Sequence, residues 1–337
     1  MRGKVQVINV KGFCDLGSRI QKYFPVVDTF ISSISNEDRY IRGFNLLSEN
    51  NVSIHNKILF YYDQVLNISD REKTEAAFDK AFNIDTGDKK LYVDMYEEAD
   101  GVQSFIDYFD SNSDQFENKN ILIDLSVMVK PYFLLLLKHL SVKRVRRIGF
   151  IYTEPVTYFR DDPLSGVPEA ALTTGAHDTR EVPSFSGKYA PLKKQVLVVL
   201  LGFEGNRVMS VSNDINPERT IPVNGFPSFQ PKFKDLSILN NRELLKDDAI
   251  FKNLEFAPAY DPFETKNTLN ELYNKYSADH NFTIAHLGSK PMALGAGFFA
   301  LEHTDCRIIY PYPQDYFPKS SYGWSKSWLY VAEIDYC

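Results

Sequence analysis

Short apolar runs rich in Val, Ile, Leu and Phe recur along the chain, separated by segments that contain Gly, Pro, Asn or Ser. Runs of this length predict buried β-strands, because a strand covered on both faces has few polar positions. The predicted strands are Lys4–Val10, Val26–Ile34, Lys57–Tyr62, Leu91–Met95, Ile121–Leu125, Arg147–Tyr152, Gln195–Leu201, Leu254–Ala257, Phe282–His286, Arg307–Tyr310 and Ser327–Ile334. The first is expected to be an edge strand or an extended arm, and the last an antiparallel edge strand.

Between many of these runs, apolar residues recur every three or four positions, which predicts helices. The predicted helices are Asn36–Leu47, Glu72–Phe82, Val102–Phe109, Pro131–Leu140, Asn240–Asp247, Glu264–Ser277 and Met292–Glu302. Strands that alternate with helices form parallel sheets covered on both faces. The predicted fold class is therefore α/β, with two Rossmann-like halves whose mostly parallel sheets are covered by helices.

The alternation breaks between Val156 and Lys194, where the chain is rich in Pro, Gly, Ser and Thr. Long irregular connections are usually functional or mobile, and they often separate compact halves. We therefore predict an N-terminal half over residues 1–160, an irregular connector over residues 161–194 and a C-terminal half over residues 195–337. A second Pro-rich segment, Pro217–Pro231, is predicted to be extended.

The two halves share one arrangement, although no strict sequence repeat is present. Ile121–Leu140 and Phe282–Leu301 each contain an apolar strand, a polar loop with Ser and Lys-Pro, and an apolar helix. Ligands of open α/β sheets bind outside the carboxyl ends of the strands. Both polar loops are therefore expected to lie where a ligand would bind.

The loop in the second half has the composition of an anion site. Gly288, Ser289 and Lys290 separate the strand from the helix, and Pro291 suits the first helical turn. Unpaired N–H groups and the positive end of the dipole favour a phosphate at a helix start, and a Lys and a hydroxyl strengthen that preference. The structural alternative is that Ser289 caps the helix and Lys290 is solvated.

This loop also carries a family resemblance. The stretch LGSKPMALGAGFFAL resembles the nucleotide-sensing loop of CRISPR-associated Rossmann-fold (CARF) domains, in which a Gly-rich turn, a hydroxyl residue and a Lys precede a small-residue helix. A tandem pair of Rossmann-like halves also resembles the SAVED sensors of antiphage systems. The resemblance implies a protein that senses a nucleotide-derived ligand in prokaryotic defence. In this chain the turn has only one glycine before Ser289 and Lys290.

Polar residues in the corresponding loop of the first half are candidates for the same pocket or a sister pocket. These residues are Asp124, Ser126 and Lys130. The structural alternative is that Asp124 holds a neighbouring backbone loop and Lys130 is exposed. Both interpretations are compatible with the sequence.

Two carboxylates follow strands at positions where α/β proteins perform chemistry. Glu204 lies beside Gly202 after the most apolar strand, and Glu154 is its counterpart in the first half. A carboxylate there can act as a general base, as a nucleophile or as an acceptor for a ribose hydroxyl. It can equally place its charge at the start of the next helix. Glu204 and Glu154 are the catalytic candidates, and Gly202 and Glu204 are also predicted ligand contacts.

Composition and charge narrow the class of protein. The net charge of −6 over 337 residues argues against broad nucleic-acid binding. Cys14, Cys306 and Cys337 are scattered without metal-type spacing, which fits a reducing cytoplasm. The longest apolar run, Pro131–Leu137, is too short to cross a membrane, and the N-terminus has no signal-peptide pattern. We therefore predict a cytoplasmic protein with no metal, no cofactor and no membrane contact.

Three functions are compatible with these patterns. The first is binding or sensing of a nucleotide-like small molecule, by a protein that acts alone, as a homodimer or with a protein partner. The second is a nucleotide-processing enzyme, a glycosidase or a phosphoesterase, that uses Glu204 or Glu154. The third is a scaffold subunit of a defence complex. A binding protein releases an added nucleotide unchanged, an enzyme converts it, and a scaffold ignores it.

Overall fold

The computed structural model describes residues 5–14, 17–66, 70–96, 99–158, 173–317, 319 and 321–336. The chain forms two compact units, the first comprising Met1–Tyr158 with Pro318–Cys337 and the second comprising Phe159–Phe317. The division near residue 160 lies close to the predicted one. The C-terminal segment differs, because it was predicted in the second half and belongs to the first unit.

The strands of the described residues are mostly short. They are β1 (Val5–Cys14), β2 (Val26–Ser33), β3 (Ser53–Tyr62), β4 (Lys89–Val93), β5 (Asn120–Asp124), β6 (Arg147–Thr153), β7 (Thr157–Tyr158), β8 (Thr173–Thr174), β9 (Asp178–Glu181), β10 (Lys194–Leu200), β11 (Arg219–Gly225), β12 (Glu255–Ala257), β13 (His280–His286), β14 (Arg307–Tyr312), β15 (Asp315–Tyr316), β16 (Ser321–Tyr322) and β17 (Ser327–Tyr336).

Helices connect most of the parallel strands. They are α1 (Gly17–Tyr23), α2 (Arg42–Glu49), α3 (Asp63–Leu66), α4 (Arg71–Ala81), α5 (Ala99–Ser111), α6 (Lys130–Leu140), α7 (Gly205–Ile215), α8 (Pro231–Asn240), α9 (Arg242–Leu245), α10 (Asp248–Phe251), α11 (Pro262–Tyr276) and α12 (Lys290–Glu302). Short 3₁₀ helices cover Asp38–Ile41 and Ser113–Gln115. Several starts follow from local chemistry, since the Asp70 and Asp261 side chains accept hydrogen bonds from the first-turn N–H groups of α4 and α11.

The first unit contains a seven-stranded sheet in the order β1-β17-β6-β5-β2-β3-β4. Strands β6, β5, β2, β3 and β4 are parallel, whereas β17 is antiparallel to both β6 and β1. The second unit contains a six-stranded sheet in the order β12-β11-β10-β13-β14-β9. Its first five strands are parallel, and β9 is antiparallel to β14.

The parallel strands of both units have the same topology. Numbered along the chain within each unit, they follow the order 3-2-1-4-5. This is the strand order of a doubly wound Rossmann sheet without its sixth strand, and its switch point lies between the first and fourth strands. Those strands are β2 and β5 in the first unit and β10 and β13 in the second. The predicted α/β fold class, with two mostly parallel sheets covered by helices, is confirmed.

Each unit also has a two-stranded antiparallel ribbon, formed by β7 and β16 in the first unit and by β8 and β15 in the second. One strand of each ribbon follows the fifth parallel strand of its own unit. The other strand comes from a segment that follows the parallel strands of the other unit along the chain. In the first unit this segment also contains β17 and follows β14, and in the second unit it also contains β9 and follows β6. The duplicated arrangement is therefore completed by an exchange of strands between the two copies.

Three local predictions differ from the structure. Strand β17 is antiparallel as predicted, but it is not an edge strand, because β1 covers its outer side. The segment predicted to be an irregular connector contains β8 and β9, which pair with residues more than a hundred positions away in sequence. Strand β11 was predicted only as an extended segment because it contains Pro222, yet it pairs with both β10 and β12.

The core of the second unit follows the two-residue periodicity of β10. Its alternate residues Leu197, Val199 and Leu201 pack in one cluster with Val208 and Val211 of α7. Each fully buried side chain of this kind contributes about 1.5–3 kcal/mol from removal of its apolar surface from water. The β10–α7 contact thus fixes the position of the loop between them, where Gly202 and Glu204 lie.

Candidate functional site

The carboxyl ends of β10 and β13 form the switch point of the second unit. The strands pair in register up to Leu200 and His286, so the loops that follow them start side by side. A Cβ atom at Gly202 would lie 2.2 Å from the Leu287 carbonyl oxygen, so only glycine allows this approach. Gly202 and Gly288, both predicted site residues, are therefore brought together, and the role of Gly202 is to let the two loops touch.

Ser289 occupies the N-cap position of α12. Its hydroxyl accepts a hydrogen bond from the Met292 N–H at 3.2 Å and donates one to the Ala259 carbonyl oxygen. Ser289 therefore caps the helix, and its hydroxyl also binds the neighbouring loop. The remaining groups at this helix start that could contact an anion are backbone N–H groups and Lys290.

Lys290 and Lys130 occupy equivalent places in the two units. Each is the first residue of the helix that follows the fourth parallel strand, each is followed by Pro, and neither helix has an acidic residue in its first turn. Both side chains are partly exposed. A cation near a helix N-terminus is disfavoured by about 0.3–1 kcal/mol, because it lies at the positive end of the dipole. A lysine at this position of the helix occurs in both units.

Glu204 is held by residues of its own unit. Its Oε2 atom accepts a hydrogen bond from Arg207 Nη1 at 2.6 Å, and its Oε1 atom accepts one from the Thr173 hydroxyl. Glu204 stands at the N-cap position of α7, but its side chain makes no capping hydrogen bond. Glu204 forms an ion pair with Arg207, in which the Glu204 side chain is 12% exposed and the Arg207 side chain 4%.

Arg207 joins the loop after β10 to the end of β14. Its Nε and Nη2 atoms both donate to the Pro311 carbonyl oxygen, and the guanidinium lies 4.9 Å from the centre of the Tyr310 ring. Burial by itself would lower the pKa of the guanidinium, but Tyr310 and Glu204 more than offset this effect, and the pKa is raised. Arg207 connects the loop after β10 to β14, and β13 lies between these two strands. The guanidinium charge therefore lies at the carboxyl end of β13, at the switch point.

The loop after β5 in the first unit is held by its own polar side chains. Asp124 Oδ1 accepts a hydrogen bond from the Ser126 N–H at 2.9 Å, so Asp124 does hold a backbone loop, as the structural alternative predicted. The Ser126 hydroxyl accepts one from the Thr153 N–H at 2.9 Å. Gly43 of α2 packs against the Asp124 carboxylate so closely that a Cβ atom there would lie 2.0 Å from Oδ2. The structure thus brings Asp124 and Ser126 together.

Two further hydroxyl groups lie at the same edge of the first unit. Ser32 and Ser33 end β2, are fully buried and have hydroxyl groups with no hydrogen-bond partner among the described residues. Buried hydroxyl groups are normally hydrogen-bonded in native proteins. The carboxyl end of β2 therefore has two buried hydroxyl groups whose hydrogen-bonding capacity the described residues do not use.

An ion pair like that of the second unit occurs in the first. Arg39 is 2% exposed, donates to Glu37 Oε2 at 2.8 Å through Nε, and donates to the Thr153 carbonyl oxygen at 2.9 Å through Nη1. The Ser321 hydroxyl donates to the same Glu37 oxygen at 2.6 Å. Burial opposes the charged form, but Glu37 and two tyrosines raise the pKa of Arg39. Thr153 is the shared neighbour of Arg39 and of Ser126, so this pair adjoins the predicted site.

Glu154, the other catalytic candidate, is 5% exposed and accepts a hydrogen bond from the Trp328 indole N–H. Burial raises the pKa of its carboxyl group, and the Trp328 hydrogen bond and the nearby Lys326 charge only partly offset that effect. Its backbone N–H donates to the Lys326 carbonyl oxygen at 2.9 Å. Glu154 therefore lies between β6 and the start of β17, within the first unit.

Sequence reasoning missed the two buried arginines as partners of the carboxylates. A signal for them is present: Tyr152–Tyr158 and Tyr310–Tyr316 both have the pattern Tyr-x-x-Pro-x-x-Tyr. Each pattern spans the end of the fifth parallel strand and one strand of the ribbon, β7 in the first unit and β15 in the second. The first tyrosine of each pattern lies beside the arginine. The centre of its ring is 5.7 Å from the guanidinium of Arg39 in the first unit and 4.9 Å from that of Arg207 in the second.

A cavity of about 430 Å³ in the second unit lies away from these residues. It is lined by polar residues that include Asn216, Arg219 and Asn253, at the amino-terminal end of β11. Ligands of open α/β sheets bind at the opposite edge. The cavity is therefore not the predicted site.

The chain was compared with known proteins. It matches no protein family, and it matches no curated protein. Among solved structures it is similar to the cytoplasmic domain of a prokaryotic cation chloride cotransporter, at 9% identity and a TM-score of 0.25, over 84% of this chain and 94% of that chain. A likeness this weak carries no functional argument. No helix within the described ranges is long and apolar enough to cross a bilayer.

Proposed function

We propose that this protein binds a nucleotide or a nucleotide-derived anion at the carboxyl edge of its parallel sheets. The proposed contacts are Lys290 and backbone N–H groups of α12 in the second unit, and Lys130 with the Ser32 and Ser33 hydroxyl groups in the first. The protein acts as a sensor, and by its resemblance to CARF and SAVED proteins we place it in prokaryotic antiphage defence and in the cytoplasm.

The repeated Lys-Pro helix start is the observation that carries this proposal. Lys130 and Lys290 stand at the start of the same helix in two units that share one topology. A phosphate bound there would interact favourably with the lysine and with the positive end of the helix dipole. Both helices begin at the edge of the sheet where α/β proteins bind ligands.

Lys290→Ala tests the proposal directly. The parent is first screened by thermal shift against mononucleotides, nucleoside triphosphates and cyclic dinucleotides, and each hit is measured by calorimetry. Lys290→Ala should weaken binding of the hit by roughly 1.5–3 kcal/mol, the range for a hydrogen bond to a charged group. Lys252→Ala is the matched control, because Lys252 is an exposed lysine in the same unit, at the C-terminus of α10.

The same experiments separate the three functions. Chromatography of the bound nucleotide should recover it unchanged, whereas a converted nucleotide would favour the enzyme. Equal affinity of Lys290→Ala and Lys252→Ala would refute the anion site at α12. A thermal-shift screen with no hit would favour the scaffold. Light scattering of the parent with and without the hit measures whether the protein acts alone or as a homodimer.

A further inference from the structure

The two buried ion pairs are parts of one repeated cluster. In each unit the arginine and the glutamate follow the first parallel strand, the carbonyl oxygen that the arginine binds lies in the fifth, and a hydroxyl group on the ribbon donates to the glutamate. The members are Arg39, Glu37, Thr153 and Ser321 in the first unit, and Arg207, Glu204, Pro311 and Thr173 in the second.

The ribbon that carries the hydroxyl group has little stability of its own. Each ribbon consists of two residue pairs, such as Thr173 with Tyr316 and Thr174 with Asp315 in the second unit. An isolated two-stranded ribbon is at best marginally stable in water, even when it is longer than this. The bond from the Thr173 hydroxyl to Glu204 ties this ribbon to the loop after β10. The cluster is thus placed to hold the ribbon at the carboxyl edge.

Stability alone does not explain why two such clusters exist. A buried ion pair must be removed from water, and apolar replacements of similar volume are often neutral or stabilising. Yet both units, which share no strict sequence repeat, have the pair with nearly the same surroundings. The arginine is the more buried member of each pair. Its side chain is 2% exposed against 15% for the glutamate in the first unit, and 4% against 12% in the second. The glutamate therefore lies on the solvent side.

An anion that approached the arginine would have to displace the glutamate. Arg207 already donates through Nε and Nη2 to Pro311 and through Nη1 to Glu204 and Thr173, so few of its five N–H groups remain. Glu204 follows Gly202 by two residues, and Gly202 packs against the loop that leads into Lys290. The ion pair and the proposed anion site are therefore on touching loops.

We propose that each cluster is a latch on its ribbon, and that an anion bound at the Lys-Pro helix start of the same unit opens the latch by replacing the glutamate on the arginine. The release of the glutamate removes the acceptor of the hydroxyl group, and the ribbon then detaches from the loop after the first strand. The latch itself is independent of the ligand, whereas its opening rests on the proposed function.

Thr173→Val tests the latch in the absence of ligand. Valine keeps the branched shape suited to a strand but removes the hydroxyl donor to Glu204. The reporter is amide hydrogen exchange of the ribbon in the full-length protein, for instance at the Gln314 N–H, which donates to the Thr174 carbonyl oxygen at 3.0 Å. Exchange there should become at least about tenfold faster, the equivalent of one hydrogen bond to a charged group.

Thr174→Val is the matched control. Thr174 is the next residue of the same strand, and its hydroxyl donates to the exposed Asp315 at 3.2 Å instead of to the cluster. Its exchange should stay close to that of the parent. Equal exchange in Thr173→Val and Thr174→Val overturns the latch, whether or not any ligand binds.

Inorganic tripolyphosphate tests the opening. When it is added to the parent, ribbon exchange should rise towards the rate in Thr173→Val, and the same addition to Lys290→Ala should have no effect. Binding detected by calorimetry together with unchanged or slower ribbon exchange would overturn the opening and leave the anion site in place. Absence of binding by tripolyphosphate and by every nucleotide of the screen would overturn both the opening and the proposed function, while the result with Thr173→Val still decides the latch.

Discussion

Arg39→Met removes the charge at the centre of the first cluster while it retains most of the side-chain length. Arg39 is 2% exposed, and its removal leaves the Glu37 carboxylate, which is 15% exposed, without its cation. It also removes the hydrogen bond to the Thr153 carbonyl oxygen. Breaking a buried ion pair by removal of one partner costs about 3–5 kcal/mol, because the remaining charge is buried and unpaired.

The double variant Glu37→Gln with Arg39→Met should cost less than the sum of the two single changes, because no charge is then left unpaired. The nearest matched control is Arg42→Met. Arg42 is paired with Glu49 at 2.6 Å, but the two side chains are 24% and 52% exposed, so this pair should contribute at most about 1 kcal/mol.

The chain offers a convenient assay for the first unit. Its two tryptophans, Trp324 and Trp328, both lie in the segment that belongs to that unit, so tryptophan fluorescence during urea unfolding reports on it. At an m-value near 3 kcal/mol/M, the loss in Arg39→Met lowers the midpoint by about 1 M or more. A midpoint for Arg39→Met no lower than that of Arg42→Met would refute the expectation that loss of Arg39 leaves a costly unpaired charge at Glu37.

Two further predictions concern single residues. Burial raises the pKa of Glu154 above its ordinary 4.5, so the folded protein binds this proton more tightly than the unfolded chain does. The stabilisation that protonated Glu154 provides is therefore complete below pH 4.5, and it is lost as pH rises through the pKa of the folded state. The parent should therefore lose stability as pH rises from 4 to 8, and Glu154→Gln should lose less over the same range, as measured by urea midpoints. Parallel curves of midpoint against pH for parent and variant would contradict this. Gly202→Ala should destabilise the second unit by about 1–3 kcal/mol in far-UV circular dichroism, because the new Cβ atom meets the Leu287 carbonyl oxygen at 2.2 Å. Gly87→Ala, whose Cβ atom would have its nearest neighbour at 3.3 Å, is the control, and equal losses would contradict the close-approach argument.

The amino-acid sequence by itself determined most of the local structure. Apolar runs such as Gln195–Leu201 and the helical spacing of Glu264–Ser277 correspond to β10 and α11 almost residue for residue. Ser289 was also recognisable as a helix cap, because a serine before Lys-Pro satisfies local N–H groups. These features depend on neighbours in the chain, and a periodic pattern contains that information.

Sequence reasoning was least informative where distant segments meet. Pro222 obscured β11, although the flanking strands β10 and β12 provide the pairing that makes it a strand. Strand β17 was predicted at an edge, and only the approach of β1 from the other end of the chain made it internal. Pairing between strands depends on backbone contacts across large sequence separations, which no local pattern specifies.

The clusters illustrate the same distinction at the site. Glu204 was singled out from its place after a strand, but its partners Thr173 and Arg207 were not, and the bond from Arg207 to Pro311 spans 104 residues. Arg207 lies only three residues after Glu204, so this pairing is local in sequence. Its bond to Pro311 is instead decided by the strand order, which brings the ends of β10 and β14 to either side of β13. Only the tertiary structure could show that both carboxylates after the first strands are paired with buried arginines, because burial and pairing arise from packing.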